Sequence, residues 1–377
     1  MRTICLLLCV AGAKGSDGVD SIFAPLTDGR SPGLAVLMLK HGQVLFERGY
    51  GVRDLRTLSP IDEKTNFRLA SVTKQFTATA IMLLVRDGKL RYDEKLTGVF
   101  PDFPGYGRTI TIRHLLTHTS GLPDYEDLMG QGWPATHQIQ DREVLDLLKR
   151  QPGGKFAAGT RWAYSNSGYV VLGLMVAKVS GVPFERFLHD RIFARLGMQH
   201  TLAYVSAENV VPDRAFGHTG LTETDQSSTS ATLGDGGVYS NLEDLRKWDQ
   251  ALQRNLLLSR REMRAALTPA KLADGSMPRW PLEPGDENLD PGQPVAYGFG
   301  WFLDPYKGHQ RMWHYGSTVG FGTAIERFPQ EGVTIIVLCN RTDLDPAKLA
   351  LQAADAVLAK HSLSQARVAA AVEHPHH

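Results

Sequence analysis

Three short residue groups in this 377-residue chain have the types and spacing for nucleophilic chemistry. The first, Ser71-Val72-Thr73-Lys74, sets a hydroxyl and an amine three residues apart. On a helix that step places both side chains on one face, one turn apart. A helix N-terminus also stabilises negative charge developing at the serine. A lysine in a partly desolvated cleft has a lowered pKa and can take part in proton transfer. An N-cap serine followed by a solvated lysine would give the same spacing, so the group needs partners.

Tyr164-Ser165-Asn166 is the second group, between Trp162 and the apolar run Tyr169 to Leu174. This suits a loop opening onto a helix. A phenol held beside an ammonium can lose its proton below its usual value and serve as a base. Asn166 supplies a donor and an acceptor for a substrate amide. The plain alternative is a loop tyrosine with its hydroxyl in water. The third group is His314-Tyr315-Gly316-Ser317, at the end of a strand-like run. A cationic or donating His314 could hold a substrate carboxylate or carbonyl, and Gly316 would let substrate approach the backbone. The Ser317 N–H would pair with that of Ser71 as an oxyanion hole. A structural histidine is the competing reading for His314.

The surrounding sequence must position these groups. Leu34 to Lys40 and Gln43 to Tyr50 read as strands joined by a His41-Gly42 turn. A helix is predicted from Ser71 to Arg86, with Phe76, Ala80, Ile81 and Leu84 at helical spacing and Asp87-Gly88 as its stop. Thr111 starts a short helix through Leu116, and Ser240 with Glu243 forms a capping box ahead of Leu245 and Trp248. Thr268 to Pro294 reads as a long surface loop. Strand-like runs follow at Tyr297 to Leu303, Gln310 to His314, Phe321 to Phe328 and Val333 to Cys339, then a helix from Pro346 to Leu358. The fold class expected is α/β: one antiparallel sheet flanked by helices, with a helical second lobe and a ligand cleft between them. The catalytic domain is expected over 20–370, its helical lobe over about 75–260 and a disordered tail over 371–377.

Composition narrows the function classes. The hydrophobic share is 42%, the charged share 21% and the net charge +1, as in ordinary folded proteins. No basic stripe suggests a nucleic-acid partner, so the expected partner is a small-molecule or peptide substrate. Cys5 and Cys9 lie in the N-terminal apolar stretch, leaving Cys339 alone, so no disulfide framework or cysteine metal site can be built. Met1-Arg2, the apolar run Thr3 to Val10 and Ala11-Gly12-Ala13 read as a short secretory signal over 1–13. The expected location is therefore periplasmic or secreted, or cytoplasmic if that segment is not a signal. No later stretch is long and apolar enough to span a bilayer. Oligomeric state is left open, and no cofactor is called for.

Taken in order, S-x-x-K at Ser71, Y-x-N at Tyr164 and H-x-G at His314 resemble the class C β-lactamase family, which includes DD-carboxypeptidases, D-aminopeptidases and related esterases. The resemblance spans about Leu34 to Leu358. It takes in Arg68-Leu69-Ala70, the run from His114 to Gly121, and Gly236-Gly237-Val238-Tyr239-Ser240 ahead of Asp244. It implies an acyl-enzyme on Ser71 that water hydrolyses, with Lys74 and Tyr164 moving the proton. The chain departs from the β-lactamase pattern at the third group, where His314 stands in place of lysine. Lysine keeps a full charge for a substrate carboxylate, whereas histidine, with a reference pKa of about 6.5, is mostly neutral at neutral pH. That favours a peptide or ester substrate over a β-lactam. A penicillin-recognising binding or sensor module that acylates without efficient turnover is the alternative of a different class.

Several other matches are decoys. Gly29-Arg30-Ser31-Pro32-Gly33 has the letters of a nucleophile elbow, but Pro32 lacks the N–H that the oxyanion hole requires. Lys40-His41-Gly42 fits a hairpin turn, and His218-Thr219-Gly220 lies in polar, loop-like surroundings. His114 and His118 are four apart, yet Leu115 stands where a zinc peptidase motif has glutamate, so no metal site is expected. Trp301, Trp313 and Phe321 read as core or cleft wall.

Overall fold

The His41-Gly42 turn closes the first hairpin with positive φ at both residues (49° and 77°), the backbone that matches strand twist in a two-residue connection. It joins β1 (Leu34–Lys40) to β2 (Gln43–Tyr50) in a computed structural model describing residues 13–130, 132–134, 136–282 and 291–372, with side chains from 18 to 359. Three further strands, β3 (Met312–Thr318), β4 (Phe321–Phe328) and β5 (Val333–Cys339), complete an antiparallel sheet in the order β3-β4-β5-β1-β2. Leu34 of β1 pairs with Cys339 of β5 on one side and Tyr50 of β2 on the other.

Period-two alternation decides which face each side chain occupies. Leu34, Val36 and Met38 join a core with Ala324, Val337 and Cys339. That core is covered by helices α1 (Ala13–Phe23) and α5 (Pro346–Val372). Ala35, Leu37 and Leu39 point the other way, into the larger core shared with the helices between β2 and β3. A one-residue slip would exchange the two sets, so burial on both faces fixes the register.

Between β2 and β3 the chain builds the helices that frame the cleft. Helix α2 (Lys74–Arg86) is buried from Lys74 to Leu84. Its stripe of Phe76, Ala80, Ile81 and Leu84 is continued around the helix by Thr77, Ala78 and Thr79, small enough for neighbours to pack on every side. Phe76 meets Trp248 and Phe193 at ring-centroid distances of 4.7 and 5.3 Å. Helix α3 (Asn166–Ser180) packs against α2, with Ser165 as its N-cap accepting from the Gly168 N–H. A second, three-stranded sheet brings Phe67–Arg68 and Leu202–Ala203 onto Val238–Ser240.

Several boundaries differ from the sequence-based expectations. The α-helix begins at Lys74, because Ala70–Thr73 forms a 3-10 turn that holds Ser71. Ser240 does not cap the next helix: it ends a strand opposite Phe67, its hydroxyl meets Thr201, and Asn241 caps α4 (Leu242–Arg254) by accepting from the Asp244 N–H. Tyr297 to Leu303 is no strand; it makes single bridges, with Gly300 at φ 73° turning the chain between them. The strand expected over Gln310 to His314 runs from Met312 to Thr318, which moves His314 from strand end to interior. The last helix continues beyond Leu358 to Val372, into the segment expected to be a disordered tail; residues 373–377 of that tail lie outside the described residues. Residues 1–12 of the proposed export signal also lie outside them. Among the described residues no single helix is long and apolar enough to cross a membrane.

Candidate active site

Ser71 lies on a turn held from three directions. The Leu69 N–H donates to Val238 O at 2.8 Å, the Thr323 hydroxyl of β4 donates to Leu69 O at 2.7 Å, and the Val238 N–H donates to Thr73 Oγ1 at 3.1 Å. Ala70, just before the serine, is left-handed with φ 47°, a conformation that costs an L-residue about 1–2 kcal/mol. The bonded neighbours impose this geometry, which turns Ser71 into a cleft of about 550 Å³.

Lys74 is fully buried at the base of that cleft. Its Nζ stands 2.9 Å from Ser71 Oγ, 2.8 Å from Asn166 Oδ1 and 3.1 Å from the Asp235 carbonyl oxygen. Two of these partners are carbonyl oxygens, which can only accept. Of these three contacts, the one to Ser71 is that along which a proton can pass in either direction. The Tyr164 ring completes the group, its centroid 4.7 Å from Nζ. Tyr164 is half-buried and lines the cleft with Ser71 and Asn166. The α3 N-terminus fixes Asn166: its N–H donates to Asp124 Oδ2 at 2.8 Å, and its amide reaches Glu126 at 3.4 Å.

Strand β3 forms another wall through His314, Tyr315, Ser317 and Thr318. Gly316 is packed against the serine turn rather than left open to substrate. A Cβ there would stand 2.4 Å from Leu69 O, 2.7 Å from Thr323 Oγ1 and 2.8 Å from the Ser71 nitrogen. The close approach that this glycine permits is thus made by the protein's own backbone, which draws β3 alongside Ser71. His314 departs further from expectation. It is buried, and burial first and Lys74 second push its pKa down to about 3, so the ring is neutral. The Tyr315 carbonyl, 2.6 Å from Nδ1, can only accept, so Nδ1 carries the ring proton. Nε2 then accepts from the Tyr297 hydroxyl at 3.2 Å. Of the two roles open to His314, holding a substrate carboxylate or a carbonyl, the neutral ring offers no charge for the first, and its one proton is given to Tyr315 O.

Two walls were not read from sequence. One is acidic: Asp124, Glu126, Asp127 and Asp235 line the cleft, with Lys155 paired to Asp127 at 2.7 Å. Glu126 is open to cleft water yet enclosed by protein, and burial, reinforced by Asp124 and Asp235, raises its pKa to about 7. Asp124 is also raised, by burial. The other wall is aromatic. Trp280, Phe302, Trp313 and Tyr315 stack in turn at interplanar angles of 14°, 17° and 13°, and three of them, Trp280, Phe302 and Tyr315, border the cleft. The run Asp124-Tyr125-Glu126-Asp127 was a usable signal for the first wall. The second draws its rings from three separate segments and leaves no local pattern. The long loop expected from Thr268 contributes Trp280 and Pro281, and the polar stretch from Thr222 contributes Ser227 and Thr229.

His114 and His118 do not face a common point. His114 Nδ1 accepts from the Thr111 N–H in a capping box, while His118 Nδ1 accepts from the Ser165 N–H. His218, although in polar sequence, is buried. Trp301, Trp313 and Phe321 are core residues.

A sheet and a helical lobe meet at a serine with a lysine one turn on and a tyrosine beside them, the arrangement that the resemblance to the class C β-lactamase family implies. The Beta-lactamase family model matches residues 19–359, and the chain belongs to that family. It is 32% identical over 344 residues to penicillin-binding protein 4* of Bacillus subtilis (strain 168), covering 86% of this chain and 71% of the relative. Among solved structures it resembles a penicillin-binding protein from Bacillus halodurans (TM-score 0.70, 28% identity, 92% and 98% of the two chains). It also resembles the D-amino acid amidase of Ochrobactrum anthropi SV3 in complex with L-phenylalanine (TM-score 0.73, 26% identity, 93% and 98%).

Proposed function

We propose that the protein is a serine acyl-hydrolase that forms an acyl-enzyme on Ser71 and acts on amides or esters of small amino acids with apolar side chains. The observation that carries the reaction type is the 2.9 Å contact between Ser71 Oγ and the buried Lys74 Nζ, beside Tyr164. In this reading Ser71 attacks the substrate carbonyl, and its proton passes into the Lys74–Tyr164 pair, which later returns it to the leaving group. The N–H groups of Ser71 and Ser317 receive the oxyanion; one such donor typically contributes roughly 3 kcal/mol to the transition state. Asn166 holds Lys74 in place and faces the substrate amide. Water then releases the acyl group by the reverse proton path.

The walls support the substrate class. Trp280, Phe302 and Tyr315 offer an apolar surface, and Glu126 offers negative charge to a substrate ammonium, while Asp127 is paired with Lys155 at 2.7 Å. A neutral His314 supplies no counter-charge to a β-lactam carboxylate, which argues against that substrate. The likeness to a D-amino acid amidase points the same way and suggests the D series.

The test is a panel of p-nitrophenyl acetate and butyrate, D-phenylalanine amide, D-alanyl p-nitroanilide and nitrocefin, with wild type and Ser71→Ala. Amide or ester turnover that falls on the order of 10⁴-fold or more in the variant supports the proposal. Turnover that survives Ser71→Ala overturns it. A penicillin adduct stable for hours with no turnover of any substrate would replace it with the binding-module reading.

A further inference from the structure

The histidine left over from the sequence, His118, contacts the active-site tyrosine segment at three points. Its carbonyl oxygen accepts from the Ala163 N–H at 3.0 Å, and its Nδ1 accepts from the Ser165 N–H at 3.1 Å. These are the residues on either side of Tyr164, so one residue holds both flanking amides. Its ring also lies on the Tyr164 ring, with centroids 4.3 Å apart and planes 27° from parallel. Tyr297 and Tyr169 surround the same imidazole at 4.6 and 5.1 Å.

The backbone explains how one residue makes all three contacts. His118 is left-handed, with φ 58°, which folds the chain back so that carbonyl and ring face the same segment. Non-glycine residues take that conformation in only a few per cent of cases, asparagine, aspartate and histidine more readily than the rest, and its cost is offset by what it holds. The ring is fully buried, and burial first, then Lys74 and His314, drives its pKa well down, so it stays neutral. Nδ1 is therefore the acceptor and Nε2 carries the proton. Neutrality matters because a cation here would stand in the apolar enclosure of the group that moves the serine proton.

We propose that His118 is a positioning residue that sets the place and plane of the Tyr164 phenol against Lys74 and Ser71, through the two flanking amides and the ring stack. It touches no substrate in this role, and it rests on the reading of Tyr164 as part of the proton-transfer pair. Proton transfer is steep in geometry, and displacement of a reacting group by about 1 Å can cost on the order of 10²-fold. The effect should therefore fall on turnover rather than on substrate binding.

The experiment is a cycle of His118→Ala, His118→Asn, Tyr164→Phe and the double variant His118→Ala/Tyr164→Phe, with the best ester or amide from the panel above. Each protein is first checked for fold by circular dichroism and thermal melting. His118→Ala is expected to lower kcat by roughly 30- to 100-fold with KM within about threefold. His118→Asn should recover much of the loss, because asparagine tolerates the left-handed backbone and its Oδ1 replaces the Nδ1 acceptor. In the Tyr164→Phe background the alanine change should cost less than about twofold more, since its route to the chemistry is gone. Folded His118→Ala with kcat within twofold of wild type, while Tyr164→Phe is inactive, would overturn this inference and leave the base assignment standing. Equal losses from His118→Ala in both backgrounds, a loss confined to KM, or no recovery in His118→Asn would also overturn it. Wild-type kcat in Tyr164→Phe would remove the base assignment itself, and the inference with it.

Discussion

Gly316→Ala puts one methyl group at the contact that draws strand β3 to the nucleophile. The added carbon would meet Leu69 O at 2.4 Å and the Ser71 nitrogen at 2.8 Å, both backbone atoms on the serine turn. Neither can rotate away as a side-chain end would. Thr323 Oγ1, at 2.7 Å, is already committed to Leu69 O, so its movement breaks that bond. Restoring ordinary contact at about 3.4 Å therefore requires strand and turn to part by roughly 1 Å, a displacement that can lower turnover on the order of 10²-fold. Overpacking of this kind costs typically about 1–3 kcal/mol of stability, so the melting temperature should also fall by several degrees. The assay is steady-state kinetics on the preferred substrate beside a thermal melt. kcat should drop about 100-fold in protein that is fully folded at the assay temperature. Gly316→Ala with kcat within threefold of wild type would refute the argument, because the oxyanion donors would then tolerate a displaced strand.

Three further outcomes follow from the site and the core. Lys74→Ala should lower kcat on the order of 10³- to 10⁴-fold, and Ser71→Ala/Lys74→Ala should be little worse than Ser71→Ala alone, since the pair acts as a unit; additive losses in single-turnover kinetics would count against that coupling. Glu126, with its pKa raised to about 7, gains its charge as pH rises toward neutrality, so KM for a D-phenylalanine amide should fall between about pH 5.5 and 7, before the substrate ammonium loses its proton at about pH 8, whereas KM for an acetate ester should not. Glu126→Gln should flatten that dependence, and an unchanged profile would remove the ammonium contact. Asp141 is half-buried, and enclosure of its carboxyl by protein raises its pKa to about 8, while an unfolded aspartate ionises near 3.8. Between those values the folded state holds a proton that the unfolded state lacks, so stability falls as pH rises, by up to roughly 1.4 kcal/mol per pH unit. Asp141→Asn keeps an acceptor for the Leu233 N–H and should raise the melting temperature at pH 8 more than at pH 5; equal shifts at both values would contradict the assignment.

Legibility followed the range of the interactions. β1, β2, β4 and β5 were readable to the residue, because apolar runs ended by turn residues fix a strand locally. Ser71, Lys74, Tyr164 and Asn166 were readable as a group because their order and spacing survive in the linear chain. Ser240 misled because its hydroxyl found Thr201 across the fold, leaving the helix cap to Asn241. Tyr297 to Leu303 misled because its aromatic content reflects the cleft wall, while Gly300 prevents a continuous ladder. Types and spacing in the sequence thus determined which residues could react and most of the sheet that carries them. Tertiary structure alone decided their state. It buried His314 and committed its ring proton to Tyr315 O, set Gly316 against the protein's own serine turn, and gathered the acidic and aromatic walls onto one cleft. Charge, proton ownership and close contact depend on burial and on neighbours distant in the chain, and those are fixed only when the chain folds.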